Sequence, residues 1–419
     1  MTTVSIAIAS YLLSMAGFQA IFGFVFARLL RNYRPPALAD EKLPYCSVLL
    51  SLRGADPYLG NGLRRLMSQN YPHYDLRIVV DHREDPAWEV VERTVDDTGF
   101  EHVQLSLNSR TSDCCSLKCN ALVQLAESLD DRTEVVVLAD ADLVSHDDWL
   151  RELVAPLLDE GVGAAHGNRW FWPQQAGLGS LVRFLWNVAA VVPMYVFQIP
   201  WGGSFAIRAS ILRDSGLLDK WSKAVVEDAP VRSAIEQQGL KIHFVPGLMM
   251  VNREDCTLPF SLDFVKRQLT WTKIYHPRWA PVVAHAFLTT AALAMGLVMA
   301  ATGVALGNPA AGAISAAAVL VYLAGMIGLI KLLDNSVRHV VASRDEPVWK
   351  FSTLAWAKMI PAILLTQCVH MVAVLLAIFR KRVKWRGVTY LVRGPWDVQM
   401  LDYQPYEQPS RSADSNLSL

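Results

Sequence analysis

The sequence has no charge excess of either sign and few charged residues. Lysine plus arginine number 39, as do aspartate plus glutamate, so the formal net charge at pH 7 is zero. A protein that binds nucleic acid through its bulk charge needs a basic surplus, which is absent here. Charged residues make up 19% of the chain and hydrophobic residues 52%. That balance is too apolar for an ordinary soluble protein and indicates membrane segments, while the length of 419 residues allows two or three domains.

Cysteine patterns of a disulfide framework or a zinc site are also missing. The six cysteines are Cys46, Cys114, Cys115, Cys119, Cys256 and Cys368. They form no C-x-x-C pair, and no histidine stands at zinc-ligand spacing beside the cluster at 114–119. The sequence therefore predicts reduced thiols in a domain that is not secreted.

A long uncharged run at residues 4–27 predicts a transmembrane helix near the start of the chain. Its 24 residues would reach ~36 Å as a helix, enough to cross a bilayer core of ~30 Å. Arg28, Arg31 and Arg34 follow at once and place that end in the cytoplasm. A cleaved signal peptide is the poorer reading, because its charges would precede the run and the run would be shorter.

Three more apolar runs, at 282–306, 311–333 and 354–379, predict a C-terminal membrane region. A polar loop is expected at 334–350. Three crossings would leave the tail outside, yet the basic residues at 380–386 indicate the cytoplasm. Because the third run contains a proline and several polar residues, we expect a re-entrant hairpin there in preference to an external tail. A weaker run at 178–199 is expected not to cross, because acids on either side of it should share one site.

Between residues 45 and 265, short apolar strands alternate with helical patterns. Strands are predicted at 45–52, 76–80, 103–107 and 135–138, and helices at 59–69, 88–95 and 117–128. This alternation predicts an α/β fold with a doubly wound, mostly parallel sheet.

Two of these strands end in carboxylates. The run 135–138 suits a strand buried on both faces, and Asp140 and Asp142 follow it. Strand 76–80 is followed by Asp81. Ligands of open α/β sheets bind beyond the carboxyl ends of strands, so acids from two strands indicate a shared crevice. A D-x-D pair can hold a divalent cation on a diphosphate, although aspartates also form ordinary turns.

A third acidic element, Glu227-Asp228, precedes a helix predicted at 230–238. Helix capping would explain these acids, and so would a general base that takes a proton from an acceptor hydroxyl. Arg267 and Trp271 lie farther along, on a helix whose basic and aromatic residues suit a membrane interface. The order of all these elements along one chain, with a Gly-rich turn at 201–204 among them, favours an active site.

Taken together, these motifs resemble those of one enzyme family. The chain is similar to membrane-bound, inverting glycosyltransferases of the family-2 and family-21 type with the GT-A fold, and most similar to ceramide glucosyltransferases and their bacterial relatives. The matching stretches are RGADP from Arg53, VVDHREDPA around Asp81, SLKCNAL around Lys118, ADAD at Asp140 and Asp142, GGSFAIR from Gly202, VEDA around Asp228, RQLTWTK from Arg267 and WRGVTYLVRG from Trp385.

The resemblance implies a donor site and a metal. Asp81 would bind the nucleoside of a UDP-sugar, with Lys118 lining that pocket. Asp142, helped by Asp140, would hold Mg²⁺ or Mn²⁺ on the diphosphate. The expected reaction is transfer of a hexose, with glucose favoured, to the hydroxyl of a ceramide-like membrane lipid.

The resemblance also implies a catalytic base, Asp228, and a closing helix on which Arg267 and Trp271 contact donor and acceptor. The acceptor would be contacted by Gly203, Ser204 and Glu227. In the family an arginine usually precedes the tryptophan, but Thr270 stands there in this sequence. A cationic phosphate contact is therefore missing, and Lys273 or Arg278 is expected to compensate.

The predicted organisation is a multi-pass membrane protein of a bacterial inner membrane with a cytoplasmic catalytic domain. Its segments are 1–34 (first span), 35–44 (linker), 45–265 (GT-A domain), 266–281 (interface helix), 282–379 (membrane region) and 380–419 (basic segment and disordered tail). The expected partners are a UDP-sugar, a lipid acceptor and the bilayer, with no nucleic acid. Alternatives are a processive polysaccharide synthase, a diacylglycerol glucosyltransferase and a catalytically dead scaffold.

Overall fold

A computed structural model describes residues 1–109, 112–344 and 346–406. The predicted disorder after Tyr406 lies outside these residues. The chain forms two compact units. The sheet unit consists of Tyr33–Trp172, Pro193–Glu254 and the chain from Arg380 onward, and the helical unit of Met1–Asn32, Pro173–Val192 and Asp255–Phe379.

The helices and strands follow the predicted alternation closely. The helices are α1 (Thr2–Asn32), α2 (Leu59–Met67), α3 (Pro86–Thr98), α4 (Leu117–Glu127), α5 (Trp149–Val154), α6 (Leu178–Val196), α7 (Ala209–Asp214), α8 (Leu217–Trp221), α9 (Val231–Gln237), α10 (Leu258–Tyr275), α11 (Trp279–Thr302), α12 (Pro309–Ala342) and α13 (Thr353–Phe379). The strands are β1 (Cys46–Leu52), β2 (Tyr74–Val80), β3 (Val103–Leu107), β4 (Val135–Ala139), β5 (Val162–Phe171), β6 (Ser204–Arg208), β7 (Lys241–Asn252), β8 (Arg382–Trp385), β9 (Val388–Gly394) and β10 (Asp397–Asp402).

The main sheet has the order β3-β2-β1-β4-β6-β5-β7, and β6 alone runs antiparallel to its neighbours. Alternate residues of one strand enter different cores: Val135 and Val137 pack on one face, and Val136 and Leu138 on the other. Since side chains alternate across a strand, β4 is buried on both faces. The predicted doubly wound, mostly parallel α/β fold is confirmed.

The strand order brings three loops to one edge of the sheet. Strands β2, β1 and β4 are adjacent and parallel, so their carboxyl ends meet there. Asp81 follows β2, the RGADP loop from Arg53 follows β1, and Asp140 and Asp142 follow β4. The sheet topology thus places the predicted acidic motifs side by side.

A second, three-stranded antiparallel sheet, β10-β9-β8, lies in the C-terminal part of the sheet unit. It was not expected from the basic composition of this segment. Strands β8 and β9 are joined by Arg386 and Gly387 alone, with Trp385 paired to Val388. The backbone nitrogen of Met400 donates to the Asp113 carbonyl at 2.6 Å, so this small sheet is tied to the chain just before α4.

In the helical unit, α12 is longer than predicted. The expected polar loop at 334–350 is wrong for its first part, because α12 continues to Ala342. Asp334 is buried and accepts a hydrogen bond from Arg338 Nε at 2.8 Å, one helical turn later. Val337 and Val341 are buried on the same stretch. The polar composition predicted a loop, but Asp334 and Arg338 form an ion pair one turn apart, and Asp334 lies on the same packed face of the helix as Val337 and Val341.

The predicted re-entrant hairpin at 354–379 is also wrong, because α13 is one continuous helix with Pro361 inside it. The polar residues that suggested a break make contacts between helices instead. Trp186 Nε1 lies 3.2 Å from His370 Nδ1, and Thr290 Oγ1 donates to the Gln367 carbonyl at 3.3 Å. Neighbouring helices with such groups allow proline and polar residues inside an apolar helix.

The two ends of α13 are held by lysines of other helices in this unit. Lys331, in the last third of α12, has its Nζ 4.9 Å from the Trp356 ring near the start of α13. At the other end, Lys273 Nζ donates to the carbonyls of Ala377 and Ile378 at 2.9 Å each, and α11 starts only six residues after Lys273. The carboxyl end of α13 therefore lies beside the segment that leads into α11.

Five helices of the described chain are long and apolar enough to cross a membrane: α1, α6, α11, α12 and α13. The chain is thus a membrane protein. In α6, Arg183 and Asn187 are buried, and the sheet unit resumes at Pro193 within this helix. That α6 does not cross remains a prediction.

Candidate active site

Asp140 and Asp142 face two cations in the crevice beyond β4. Lys118 Nζ, from α4, lies 2.7 Å from Asp140 Oδ1. Arg169, from β5, places one guanidinium nitrogen 2.9 Å from Asp140 Oδ2 and 3.0 Å from Asp142 Oδ1. Asn252 Nδ2, at the end of β7, lies 3.4 Å from Asp142 Oδ2. The two acids therefore form one charged cluster in which both carboxylates are held by side chains.

The two acids have opposite pKa shifts. Burial would raise the pKa of Asp140, but the charges of Lys118 and Arg169 outweigh it and lower the pKa to about 2. Burial raises the pKa of Asp142 to about 6, with Arg169 opposing the shift and repulsion from Asp140 adding to it. Asp142 thus carries negative charge that its surroundings do not fully balance.

That imbalance fits a divalent cation. Carboxylate oxygens are the ligands that Mg²⁺ and Mn²⁺ prefer, and Asp140 and Asp142 offer them from one short loop. A second group, Asp81, His82 and Asp85, also brings potential ligand atoms within 4.8 Å of one another. In this group too the side chains are hydrogen-bonded: Asp85 accepts from the Gly54 nitrogen at 2.9 Å, and His82 Nε2 accepts from the backbone nitrogen of Tyr406 at 2.8 Å.

The Gly-rich turn before β6 packs directly on the acids. A Cβ on Gly203 would lie 2.4 Å from Asp140 Oδ2, and one on Gly202 would lie 2.0 Å from Glu227 Oε1. The Gly202 nitrogen donates to Asp228 Oδ2 at 3.2 Å. Glycine is needed at both positions because any side chain would occupy the space of a carboxylate. This turn therefore brings the acids after β4 and the acids before α9 to one place.

Asp228 is half-buried beside two other acids. Burial raises its pKa to about 7, and repulsion from Glu227 adds to the shift, while Lys118 and the Gly202 N–H oppose it. A carboxylate with a pKa near neutrality can take up a proton at working pH, as a general base must. Among the acids of the cluster, Asp228 has the environment best suited to that task.

Lys118 and Glu227 are paired with each other. Lys118 Nζ lies 2.6 Å from Glu227 Oε1 while it also binds Asp140, so one ammonium bridges two acids. Ser204 is fully buried and its Oγ accepts from Trp149 Nε1 at 2.9 Å. These contacts do not favour the predicted acceptor contacts of Glu227 and Ser204, because neither side chain is exposed to a substrate.

Asp81 lies beside a different set of residues at the same sheet edge. Arg53 pairs with its carboxylate, and Tyr403 Oη is 3.4 Å from Asp81 Oδ2. Burial raises the pKa of Asp81, and the Arg53 charge opposes that shift. Lys118, predicted to line a pocket with Asp81, instead forms its ion pairs with Asp140 and Glu227.

Arg267 and Trp271 lie on α10, in the helical unit. The Arg267 guanidinium lies 6.0 Å from the centre of the Phe264 ring of the same helix. Thr270 is buried and donates to the Lys266 carbonyl at 2.7 Å. Lys273, proposed as a substitute cation, is bound to the carbonyls that end α13. Its ammonium is therefore already committed within the helical unit.

Two charged residues of this region were not predicted from the sequence. Arg169 lies in β5, and no motif marks it as functional. Arg386 binds Asp56 with both terminal nitrogens, at 2.7 and 2.6 Å. The signal for Arg386 was present, because it lies in the WRGVTYLVRG stretch that contributes to the family resemblance, but the sequence analysis assigned this residue no role.

Comparison with known proteins gives a family match over nearly the whole chain. The model of glycosyl transferase family 21 matches residues 6–396. Among solved structures, the mannosyltransferase PcManGT from Pyrobaculum calidifontis, in complex with GDP-Man and Mn²⁺, is 14% identical, with a TM-score of 0.47 over 90% of this chain and 99% of that one. Glucosyl-3-phosphoglycerate synthase from Mycobacterium tuberculosis, in complex with Mn²⁺ and UDP-glucose, is 17% identical, with a TM-score of 0.38 over 57% of this chain and 84% of that one.

Proposed function

Because this chain belongs to glycosyl transferase family 21, and is thus a glycosyltransferase, we propose that it transfers a hexose from a UDP-sugar to the hydroxyl of a membrane lipid. Glucose is the favoured sugar and a ceramide-like lipid the favoured acceptor. The observation that carries the proposal is the position of Asp228, whose pKa of about 7 and bond to the Gly-rich turn suit a base facing the acids after β4.

In this proposal Asp228 removes the proton of the acceptor hydroxyl. The oxygen then attacks the anomeric carbon of the sugar as the bond from that carbon to the diphosphate breaks. Attack from the side opposite the leaving group inverts the anomeric configuration. The proton remains on Asp228 until solvent takes it, and a base with a pKa near 7 both accepts and releases it readily.

Asp81 and the Asp140–Asp142 pair serve the donor. Asp81, at the end of β2, is proposed to bind the nucleoside. Asp142, helped by Asp140, would hold Mg²⁺ or Mn²⁺, which stabilises the negative charge that develops on the leaving diphosphate. Lys118 fixes the orientation of Asp140 and ties it to Glu227, next to the base. Gly203 lets the turn approach Asp140 closely.

A lipid acceptor is proposed because one of the two units consists largely of helices that are long and apolar enough to cross a membrane. The basic and aromatic residues of α10, Arg267 and Trp271 among them, suit the level of lipid head groups, where an acceptor hydroxyl lies. We propose that the protein lies in a bacterial inner membrane with its sheet unit in the cytoplasm, because Arg28 and Arg31 stand near the end of α1 and Arg34 follows it.

The test is an assay of product identity. Membranes containing the protein are incubated with radiolabelled UDP-glucose or UDP-galactose in the presence of Mn²⁺ or Mg²⁺, and the labelled product is analysed by mass. The proposal predicts one hexose added to an extractable lipid, in a reaction that a chelator stops. A long polymer would contradict it in favour of a processive synthase. Label on diacylglycerol with none on ceramide would overturn the preferred acceptor.

A further inference from the structure

Arg386 adopts a backbone conformation that arginine rarely takes. Its φ is +49°, and that of Gly387 is +81°. The two residues form the whole connection between β8 and β9, so the turn has positive φ at both central positions. Such a turn normally begins with asparagine, aspartate or glycine, which tolerate positive φ better. A residue kept in an unfavourable backbone conformation often has a function, so the arginine at the tip of this hairpin points to one.

The tip is fixed on both sides by residues at the carboxyl ends of the strands. The Arg386 guanidinium makes a fork with the carboxylate of Asp56, which follows β1 and is buried. The Arg386 carbonyl accepts from Arg53 Nε at 2.8 Å, and Arg53 pairs with Asp81. The hairpin thus presents its arginine at the sheet edge where the donor acids lie.

The Arg386 side chain also has hydrogen-bond donors that Asp56 does not occupy. A guanidinium carries five N–H groups, and Asp56 accepts two from Arg386. The remaining three have no partner among residues 1–109, 112–344 and 346–406, and the side chain is 24% exposed. Arg169, by contrast, is bound to the very acids proposed to hold the metal. Arg386 is anchored by an acid outside that pair and can bind a further anion.

Arg386 is anchored at the sheet edge where the acids after β4 lie. Its partner Asp56 follows β1, and β1 pairs in parallel with β4, the strand that leads into Asp140 and Asp142. A diphosphate held beside Asp140 and Asp142 would therefore lie within range of this guanidinium. Position 270, where a phosphate-binding arginine is expected from the family resemblance, holds a buried threonine, and Lys273 is bound elsewhere.

We propose that Arg386 binds the diphosphate of the nucleotide-sugar donor and supplies the cation that position 270 lacks. The inference rests on the proposed function, because it assumes a nucleoside-diphosphate donor. It assigns the C-terminal sheet a part in the donor site, with Asp56 as the residue that positions the guanidinium.

The test compares ligands that differ only in their phosphates. Binding of UDP, UMP and uridine to the purified full-length protein with Mn²⁺ is measured by calorimetry for wild type, Arg386→Ala and Arg386→Gln. Loss of a charge-assisted contact should weaken UDP binding about 10–100-fold. Uridine binding should stay within about twofold of wild type, because the contact is to phosphate alone. Arg393→Ala, on the same sheet but paired with Asp397 on the surface, is the matched control and should bind all three normally.

Unchanged UDP binding in both Arg386 variants would overturn the inference. Equal losses for UDP and uridine would overturn it too, since they would show that Arg386 only supports the fold of the pocket. If the wild type binds no uridine nucleotide, the proposed UDP donor is wrong. The same series with GDP, GMP and guanosine would then decide on Arg386, and failure of both series in the wild type would contradict both proposals.

Discussion

Asp142 and Asp228 are carboxylates of one cluster with raised pKa values, whereas that of Asp140 is lowered. The difference in pKa comes from the groups that bind each carboxylate. Asp140 has two cations within 3 Å, while the Gly202 N–H is a neutral donor to Asp228. When their environments shift the pKa values of neighbouring acids apart, one acid can stay ionised and stabilise charge while another takes up a proton.

The rate of sugar transfer should depend on pH through Asp228. Asp228 must be ionised to act as a base, and its pKa is about 7. We expect kcat/KM for sugar transfer to be level above pH 8 and to fall about tenfold per pH unit below pH 7. Below pH 6 the decline should steepen, because Asp142, with a pKa of about 6, is then protonated as well.

Measuring UDP affinity over the same pH range separates the two effects. Donor binding should respond to Asp142 near pH 6 and be insensitive between pH 6.5 and 8. A transfer rate that stays constant from pH 5.5 to 8 would show that no base with this pKa takes part.

At the scale of elements, the turn before β6 is the piece that joins the acids. Gly202→Ala would put a methyl group 2.0 Å from Glu227 Oε1, so either the turn or the acid must move. A displacement of about 1 Å near reacting groups can cost about 10²-fold in rate. We expect at least that loss of transfer, measured as kcat with saturating donor.

Gly394→Ala is the control for this change, since a Cβ there meets no atom within 4 Å and the residue lies in the same unit. Its activity should match wild type. Full activity of Gly202→Ala would mean that the close approach of this turn is not required.

Helix α10 carries a second prediction. Thr270 is 1% exposed, so Thr270→Arg must force a long cation into a packed site and should destabilise the protein by about 1–3 kcal/mol. Thr272→Arg is the matched control, because Thr272 makes the same bond one turn back, to Gln268 at 3.0 Å, but is only half-buried. Thermal unfolding in detergent should show a lower midpoint for Thr270→Arg alone. Higher activity of Thr270→Arg without loss of stability would contradict this prediction and would show that an arginine fits at this position, as in the family.

Elements whose signal was local could be predicted from sequence, and those that depend on partners could not. The strand 103–107 is β3 itself, and the D-x-D strand is β4. The end of α12 was missed because the Asp334–Arg338 pair looks like loop composition until its helical spacing is satisfied. The continuity of α13 was missed because its proline and polar residues are compensated by α6 and α11, which no local pattern reveals. Lys118 and Arg386 were likewise misplaced or missed, since their partners are distant in sequence.

In the whole molecule, the path of the chain bears on which side of the membrane the tail lies. Counting 354–379 as a crossing put the tail outside, yet the carboxyl end of α13 is bound to Lys273, six residues before α11 begins. After Phe379 the chain enters the sheet unit, where Arg386 binds Asp56. The tail therefore starts close to the point where α11 begins, and we expect both to lie on the same side of the membrane.

This path predicts the sidedness of two sites. In a background without the exposed Cys114 and Cys368, an impermeant maleimide applied to intact cells should label Leu306→Cys, in the α11–α12 loop. It should not label Arg393→Cys, on β9, until the membrane is opened. Both positions are exposed. Labelling of position 393 in intact cells would place the tail, and the sheet unit with it, outside.

Asp228 is the proposed base of a sugar transfer whose donor is bound by other residues. Asp228→Asn keeps the size of the side chain and can still accept from the Gly202 N–H, but it cannot take the proton. Transfer from UDP-glucose to lipid and binding of UDP should therefore be measured side by side on wild type and this variant. We expect a loss of about 10²–10⁴-fold in kcat with UDP affinity within about twofold of wild type. Unchanged turnover in Asp228→Asn would contradict it.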